Sequence, residues 1–263
     1  MIESILPPQV VAVESRDDDD LDGVLFPEEE ALVARAVDKR RKEFAAARIC
    51  ARRALALLGR PPAPILSGSR GEPLWPDGIV GSITHCAGYR GAVAAVRSEV
   101  ASIGIDAEPD GPLPDGVLDA VALPEESVLV RERAGQDGVH WDRLLFCAKE
   151  AVYKTWYPLT GRWLGFEEAR IDLVADPAPA VVSGTESTPG SAPAPAPGSA
   201  PGSAPAPAAQ PGGVRGSFSA RLLVPGPQLG GRTLQDFSGR WLAADGLILT
   251  AIVLPWDDEK TGG

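Results

Sequence analysis

A chain of 263 residues, 44% of them hydrophobic, is long enough to bury a substantial core, as one large domain or two packed halves. Its net charge of −11 argues against general nucleic-acid binding, which needs a basic footprint. No apolar run approaches the roughly eighteen residues of a membrane span. The first residues lack the basic start and small-residue cleavage site of a signal peptide, so a cytoplasmic protein without membrane or nucleic-acid partners is expected. Cys50, Cys86 and Cys147 are widely spaced and read as reduced thiols, chiefly small buried side chains. Cys86 follows His85, but adjacent residues of an extended strand point to opposite faces, which disfavours a nucleophile–base pair there.

Residues 27–58 read as one long helix. Pro27 suits its first turn, Glu28, Glu29 and Glu30 complement the dipole, and Gly59 suits its end. Basic residues gather on it: Lys39 to Lys42, then Arg48, Arg52 and Arg53. Arg41, Arg48 and Arg52 share one face, with Arg40 at its edge. A local basic patch on an acidic protein suits a small anionic ligand better than a polyanion, although a solvated helix face has the same pattern. A Pro/Gly loop follows over 61–78 and contains Ser67-Gly-Ser-Arg-Gly71. Apolar, β-branched runs predict strands at 78–84, 92–97 and 100–106. Residues 142–156 predict a second helix, started by Asp142 and stopped soon after by Pro158.

Further strands are expected at 169–174, 217–224 and 246–254. Between the first two of these, residues 177–213 consist almost wholly of Ala, Pro, Gly and Ser, and read as a flexible insertion between two strands of one domain. The class is therefore α/β or α+β, in two similar halves, 1–103 and 104–254, each a small sheet with a long helix, followed by a tail over 255–263.

Three segments bear chemistry. Ile103-Gly-Ile-Asp-Ala-Glu108 is an apolar strand ending in two carboxylates that face the same way. Like charges held that close call for a cation, and hard oxygen ligands favour magnesium, with manganese as an alternative. A strand emerging at an acidic turn would look similar. Phe146-Cys-Ala-Lys-Glu-Ala-Val-Tyr-Lys154 places Glu150 and Lys154 on one helix face. Such a pair is often a simple helix-stabilising ion pair, but here the flanks are aromatic: Trp141, Phe146, Tyr153, Trp156 and Tyr157. Gly81-Ser-Ile-Thr-His85 ends in a histidine that, with the arginines and Arg70, would contribute to a phosphate cradle. His140 has no evident role.

In this order and spacing, with Trp-Asp-Arg-x-Leu-Phe before the helix motif and Arg-Trp-Leu-Gly-Phe-Glu after it, the segments resemble the 4′-phosphopantetheinyl transferases of the surfactin/enterobactin-synthetase type. The similarity runs from about residue 26 to 252 and is nearest to the actinobacterial branch. It implies a monomer of two pseudo-symmetric halves with coenzyme A bound between them, Mg2+ on its pyrophosphate, and a serine of an acyl or peptidyl carrier protein as acceptor. It further implies Asp106, Glu108 and Glu150 as metal ligands and Glu150 as general base. Lys154 would stabilise the departing 3′,5′-ADP, and Arg40, Arg48, Arg70, His85 and Lys149 would contact phosphates. Ser67 stands where relatives often carry Lys. A coenzyme A sensor on the same fold, or a metal-dependent phosphoesterase using water as acceptor, would be built of similar parts. Glu150 with Lys154 favours transfer.

Overall fold

The computed structural model describes residues 1–16, 23–177 and 213–256. In chain order it contains strand β1 (Val11–Ser15), helices α1 (Pro27–Val33) and α2 (Asp38–Leu57), and the short strands β2 (Leu66–Ser67) and β3 (Pro73–Leu74). Strands β4 (Ile79–Cys86), β5 (Tyr89–Val96) and β6 (Val100–Pro109) follow, then helices α3 (Val117–Val121), α4 (Pro124–Glu132) and α5 (Trp141–Thr160). The chain continues through β7 (Ala169–Ala175), β8 (Val214–Leu222), β9 (Gln228–Leu229), β10 (Arg232–Thr233), β11 (Asp236–Ala244) and β12 (Leu247–Pro255). None of the helices among the described residues is long and apolar enough to cross a membrane.

Two antiparallel sheets organise these elements: a three-stranded one in the order β1-β5-β4, and a five-stranded one in the order β6-β12-β11-β8-β7. Each packs one long helix. Cys50, Ala51, Ala54 and Leu55 of α2 meet Ile79, Ala92 and Ala94 of the smaller sheet. Leu144, Leu145, Ala148, Val152 and Trp156 of α5 meet Phe218, Phe237, Trp241 and Ile248 of the larger. A third cluster, around Tyr89, Val93, Ile103, Ile105 and Leu249, joins the two sheets. The mixed α and β class expected from the sequence is the one observed. The boundary drawn at 103/104 falls inside β6, which pairs along its length with β12.

The helix expected over 27–58 is two helices. Glu29 and Arg52 lie 2.7 Å apart. On one straight helix, 23 residues at 1.5 Å per residue would separate them by about 35 Å. The buried Glu29 carboxylate also accepts from the backbone N–H groups of Phe26 and Ile65, so it draws α1 back against α2 and the chain bends between them. Pro158 does not end α5, which runs to Thr160 and stops at Gly161 in the left-handed conformation (φ 62°). A proline in the last turn forfeits one hydrogen bond without blocking the turn that follows. The strands flanking the Ala/Pro/Gly/Ser stretch, β7 and β8, pair directly, as an insertion between neighbours requires. Residues 178–212 of that stretch lie outside the described residues, as do 257–263 of the expected tail. Strands β1 and β11 and helices α3 and α4 were not anticipated.

The closest helix–sheet approach sets the site. A Cβ on Gly104 of β6 would fall 2.1 Å from the Ala151 carbonyl of α5, so only glycine lets the helix lie this near. Ser102 Oγ donates to the Thr155 carbonyl at 2.8 Å across the same contact.

Glu126 repeats the role of Glu29 in the second half. It is buried at the third position of α4, accepts from the N–H groups of Leu123 and Ile171, and holds the Lys149 ammonium at 2.8 Å. Breaking such a buried pair costs roughly 3–5 kcal/mol, because the remaining charge is left uncompensated. E126A should therefore lower the unfolding free energy by about that amount in urea titrations. A loss under about 1 kcal/mol would mean that Glu126 does not organise this half.

Candidate active site

The site lies where the two sheets meet without a backbone ladder between them. Strand β4 faces the free edge of β6, and hydroxyls replace carbonyls as acceptors: Ser82 Oγ takes the Ile105 N–H at 3.1 Å and Thr84 Oγ1 takes the Ala107 N–H at 3.0 Å. Thr84 then donates its own proton to Asp106 Oδ1 at 3.1 Å. Two-residue spacing on both strands puts these groups on one line.

Asp106 is buried, and its Oδ1 also holds Lys154 Nζ at 2.7 Å, while its Oδ2 is buried with no partner. Glu108 and Glu150 stand near enough to feel that charge. Burial first, and the Asp106 carboxylate second, raise both above the usual range. Lys154 responds oppositely: burial alone would lower it, but Asp106 and Glu150 together hold it above its ordinary value, so it remains a cation. Among the described residues no three His, Cys, Asp or Glu side chains converge as a finished cation cage. The donor chemistry nevertheless fits a hard divalent cation. The three groups are oxygen donors, one buried oxygen lacks a partner, and two are strained by their neighbour's charge.

A cleft of about 570 Å3 opens on the Glu150 and Lys154 side of this cluster, with Arg70, Trp75, Ser82 and Tyr153 also on its walls. On the other side of Glu150, a recess of about 120 Å3 is bounded by Val152, Tyr153, Trp163, Leu164 and Phe166. Glu150 thus lines both the larger cleft, whose walls mix charged, aliphatic and aromatic side chains, and the smaller aromatic recess.

The remaining expected residues divide. Arg40 donates from Nη1 to His85 Nε2 at 2.7 Å, at the C-terminal end of β4. Since arginine only donates, His85 accepts at Nε2 and bears its ring proton on Nδ1. Arg48 is turned inward: Nε donates to the Ile65 carbonyl at 2.7 Å, Nη2 to Ser67 Oγ at 3.0 Å, and the guanidinium lies over Phe44. Burial pulls it down to about 10, so it is still charged at neutral pH. Arg41 and Arg52 are paired with Glu30 and Glu29, so the helix face read as an anion patch largely ties α2 to α1. Lys149, expected on a phosphate, is 3% exposed and gives its ammonium to Glu126 and to the carbonyls of Phe166 and Ala169. Its three donors are thereby used inside the protein, and it acts as a buried strut. Cys86 is raised to about 12, by burial and then by Glu108 and Asp106, so it remains a thiol.

Sequence reasoning passed over Arg143 and His140. Arg143 Nη1 donates to Glu108 Oε2 at 3.0 Å, and His140 Nδ1 lies 2.8 Å from Asp110. Arg143 stands in the Trp-Asp-Arg-x-Leu-Phe segment, but neither its role nor that of His140 has a local signal, because each partner lies some thirty residues away. Ser82 and Thr84 had one: alternate positions within the motif that was noticed.

A family model described as the 4′-phosphopantetheinyl transferase N-terminal domain matches residues 28–95, and one described as the 4′-phosphopantetheinyl transferase superfamily matches 102–194. The chain is 49% identical over 257 residues to 4′-phosphopantetheinyl transferase Svp of Streptomyces mobaraensis, a match covering 97% of this chain and 89% of that protein. It is 50% identical over 229 residues to PptT of Mycobacterium tuberculosis, covering 87% and 86% respectively. Npt of Nocardia iowensis is 48% identical over 254 residues, covering 96% and 99%.

An acid raised above its ordinary range binds more protons folded than unfolded between those two values, so stability falls as pH rises through that window. E150Q removes this penalty. In chelator it should melt a few degrees above the parent at about pH 7, with the gain shrinking as the pH is lowered towards about 4. Equal melting temperatures at neutral pH would contradict the strain assigned to Glu150.

Proposed function

Because the chain belongs to the 4′-phosphopantetheinyl transferase family, we propose that the cleft between its two sheets holds coenzyme A with the reacting pyrophosphate beside Glu150 and Lys154. The enzyme transfers the 4′-phosphopantetheine of coenzyme A to a serine of an apo acyl or peptidyl carrier protein, leaving holo-carrier and 3′,5′-ADP, in support of secondary-metabolite and lipid biosynthesis. The observation that supports the placement most is Glu150, which stands between a cleft bearing Arg70 and Lys154 and a recess walled by aromatic side chains. A substrate with a charged nucleotide at one end and an uncharged arm at the other has matching requirements.

In this reading Asp106, Glu108 and Glu150 hold Mg2+, with Mn2+ as a substitute. The ion, when bound, neutralises pyrophosphate charge and aligns the phosphates. Glu150, raised by burial and by Asp106, accepts the proton of the attacking serine hydroxyl. The serine oxygen forms its bond to the β-phosphorus as the bond from that phosphorus to the bridging oxygen breaks. Lys154, kept charged by Asp106 and Glu150, stabilises the charge that develops on the departing 3′,5′-ADP. Arg70, on the cleft wall, and Arg40 with His85 serve the nucleotide's phosphates. Arg48 holds the loop at Ile65 and Ser67 and so shapes this end rather than presenting a free fork. Lys149 has no part in phosphate binding here. Two sheets within one chain complete the cleft, so a monomer suffices. The free cysteines and the use of coenzyme A support the reading of a cytoplasmic enzyme.

The test is incubation with coenzyme A, Mg2+ and an apo carrier, read by intact mass spectrometry. The parent should add one phosphopantetheine arm to the carrier serine. D106A and E150A should lower that rate by more than about a hundredfold. Near-parental turnover in either variant would overturn the assignment, and release of free phosphopantetheine instead would favour a phosphoesterase.

A further inference from the structure

Glu108 is the outer of the two carboxylates on β6. It sits near the C-terminal end of β6, where the chain leaves the sheet. Beyond Pro109, the segment 110–113 lies outside any strand or helix, with the Asp110 N–H donating to the Gly246 carbonyl at 2.9 Å. The start of α5 fixes it further. Arg143 reaches across with its whole guanidinium: Nη1 donates to Glu108 Oε2 at 3.0 Å, Nε to the Gly111 carbonyl at 3.1 Å, and Nη2 to the Pro112 carbonyl at 2.7 Å. Asp142 Oδ2 accepts the Leu113 N–H at 2.8 Å, and His140 pairs with Asp110. Three residues at the head of α5 therefore hold Glu108 and the four positions from Asp110 to Leu113.

We propose that Arg143 is a positioning residue for the transfer reaction, one that fixes the Glu108 carboxylate relative to Asp106 and Glu150 through a three-pronged grip on the segment 108–112. The proposal rests on the reading of these carboxylates as the metal ligands. A planar fork with donors in fixed directions serves where a lysine would not, since the grip must satisfy one carboxylate oxygen and two carbonyls at once. The bond to Glu108 is to Oε2 alone, which leaves Oε1 for a cation. Asp106 lies in the sheet and Glu150 on the helix, so without Arg143 the third donor would sample many rotamers and the cation would lose one of its pre-arranged ligands. Because the same guanidinium lies 3.0 Å from the Glu108 carboxylate, its loss also leaves the two carboxylates of β6 without that positive charge between them and solvent.

The experiment measures Mn2+ binding by electron paramagnetic resonance, together with kcat and KM for coenzyme A at saturating Mg2+, for the parent, R143A, R143K and a D106A control. The parent should bind one Mn2+, and D106A should bind none. R143A should bind it about tenfold more weakly, with kcat lowered more than KM for coenzyme A is raised, and R143K should recover only part of the affinity. Metal-free melting temperatures separate this from general damage: the Mn2+ affinity should fall even where the melting temperature shifts by no more than a few degrees. Should R143A fail to fold, R143K decides alone. Parental affinity in the folded variants would overturn the proposal. Mn2+ binding by D106A equal to the parent would instead overturn the metal reading, and the proposal with it.

Discussion

Two hydroxyls join the halves of this enzyme across β4 and β6, and one of them also seats the central carboxylate. Strand β6 has an ordinary ladder to β12 on one edge and, on the other, meets β4 through Ser82 and Thr84. A backbone ladder would have fused the sheets into one, with no seam. Hydroxyls satisfy the Ile105 and Ala107 N–H groups while leaving the strands independent, and they keep those buried donors from being stranded, which would cost about 1–3 kcal/mol each. Thr84 does more, because its own proton goes to Asp106. The group that joins the halves is thus the group that orients the central carboxylate.

Each half is anchored on its own side by the same device. Phe26-Pro-Glu-Glu29 and Leu123-Pro-Glu-Glu126 begin short helices with a proline and end in a buried glutamate that turns back to cap them. Both glutamates also take a backbone N–H from a distant segment, Ile65 and Ile171, and a cation from the long helix, Arg52 and Lys149. The repetition gives physical content to the two pseudo-symmetric halves. It also explains why Lys149, next to Glu150 in sequence, is not in the cleft: it faces its half's anchor while Glu150 faces the seam.

How much of this was legible follows from the range of each interaction. The strand carrying Asp106 and Glu108, the helix carrying Glu150 and Lys154, and the strands on either side of the Ala/Pro/Gly/Ser stretch were visible because period and composition are local properties; that β7 and β8 pair was not. The break between α1 and α2 was not, because it is imposed by Glu29 meeting Arg52 across the bend. The arginine face misled for a similar reason. Helical spacing shows that Arg41, Arg48 and Arg52 point the same way, but not that Glu30, Ile65 and Glu29 are there to meet them. The partners of Arg143 were hidden too, since Glu108 and Pro112 reach it only once β6 lies along α5.

The cluster itself is costly to the free protein and, in the proposed reaction, would be useful to the loaded one. Asp106 keeps one oxygen buried and unpartnered, and its charge raises both Glu108 and Glu150. Lys154 and Arg143 offset part of that repulsion, each by bonding a single oxygen of one carboxylate. Fuller compensation would make a more stable fold with no oxygen left to offer. The tight approach at Gly104 sets how far the compromise can relax, because α5 bears Arg143, Glu150 and Lys154 and cannot move away from β6 without opening that contact. The rigidity of the helix–strand pair therefore keeps the carboxylates close enough to repel, and that residual repulsion is what a cation, arriving with the pyrophosphate, would relieve.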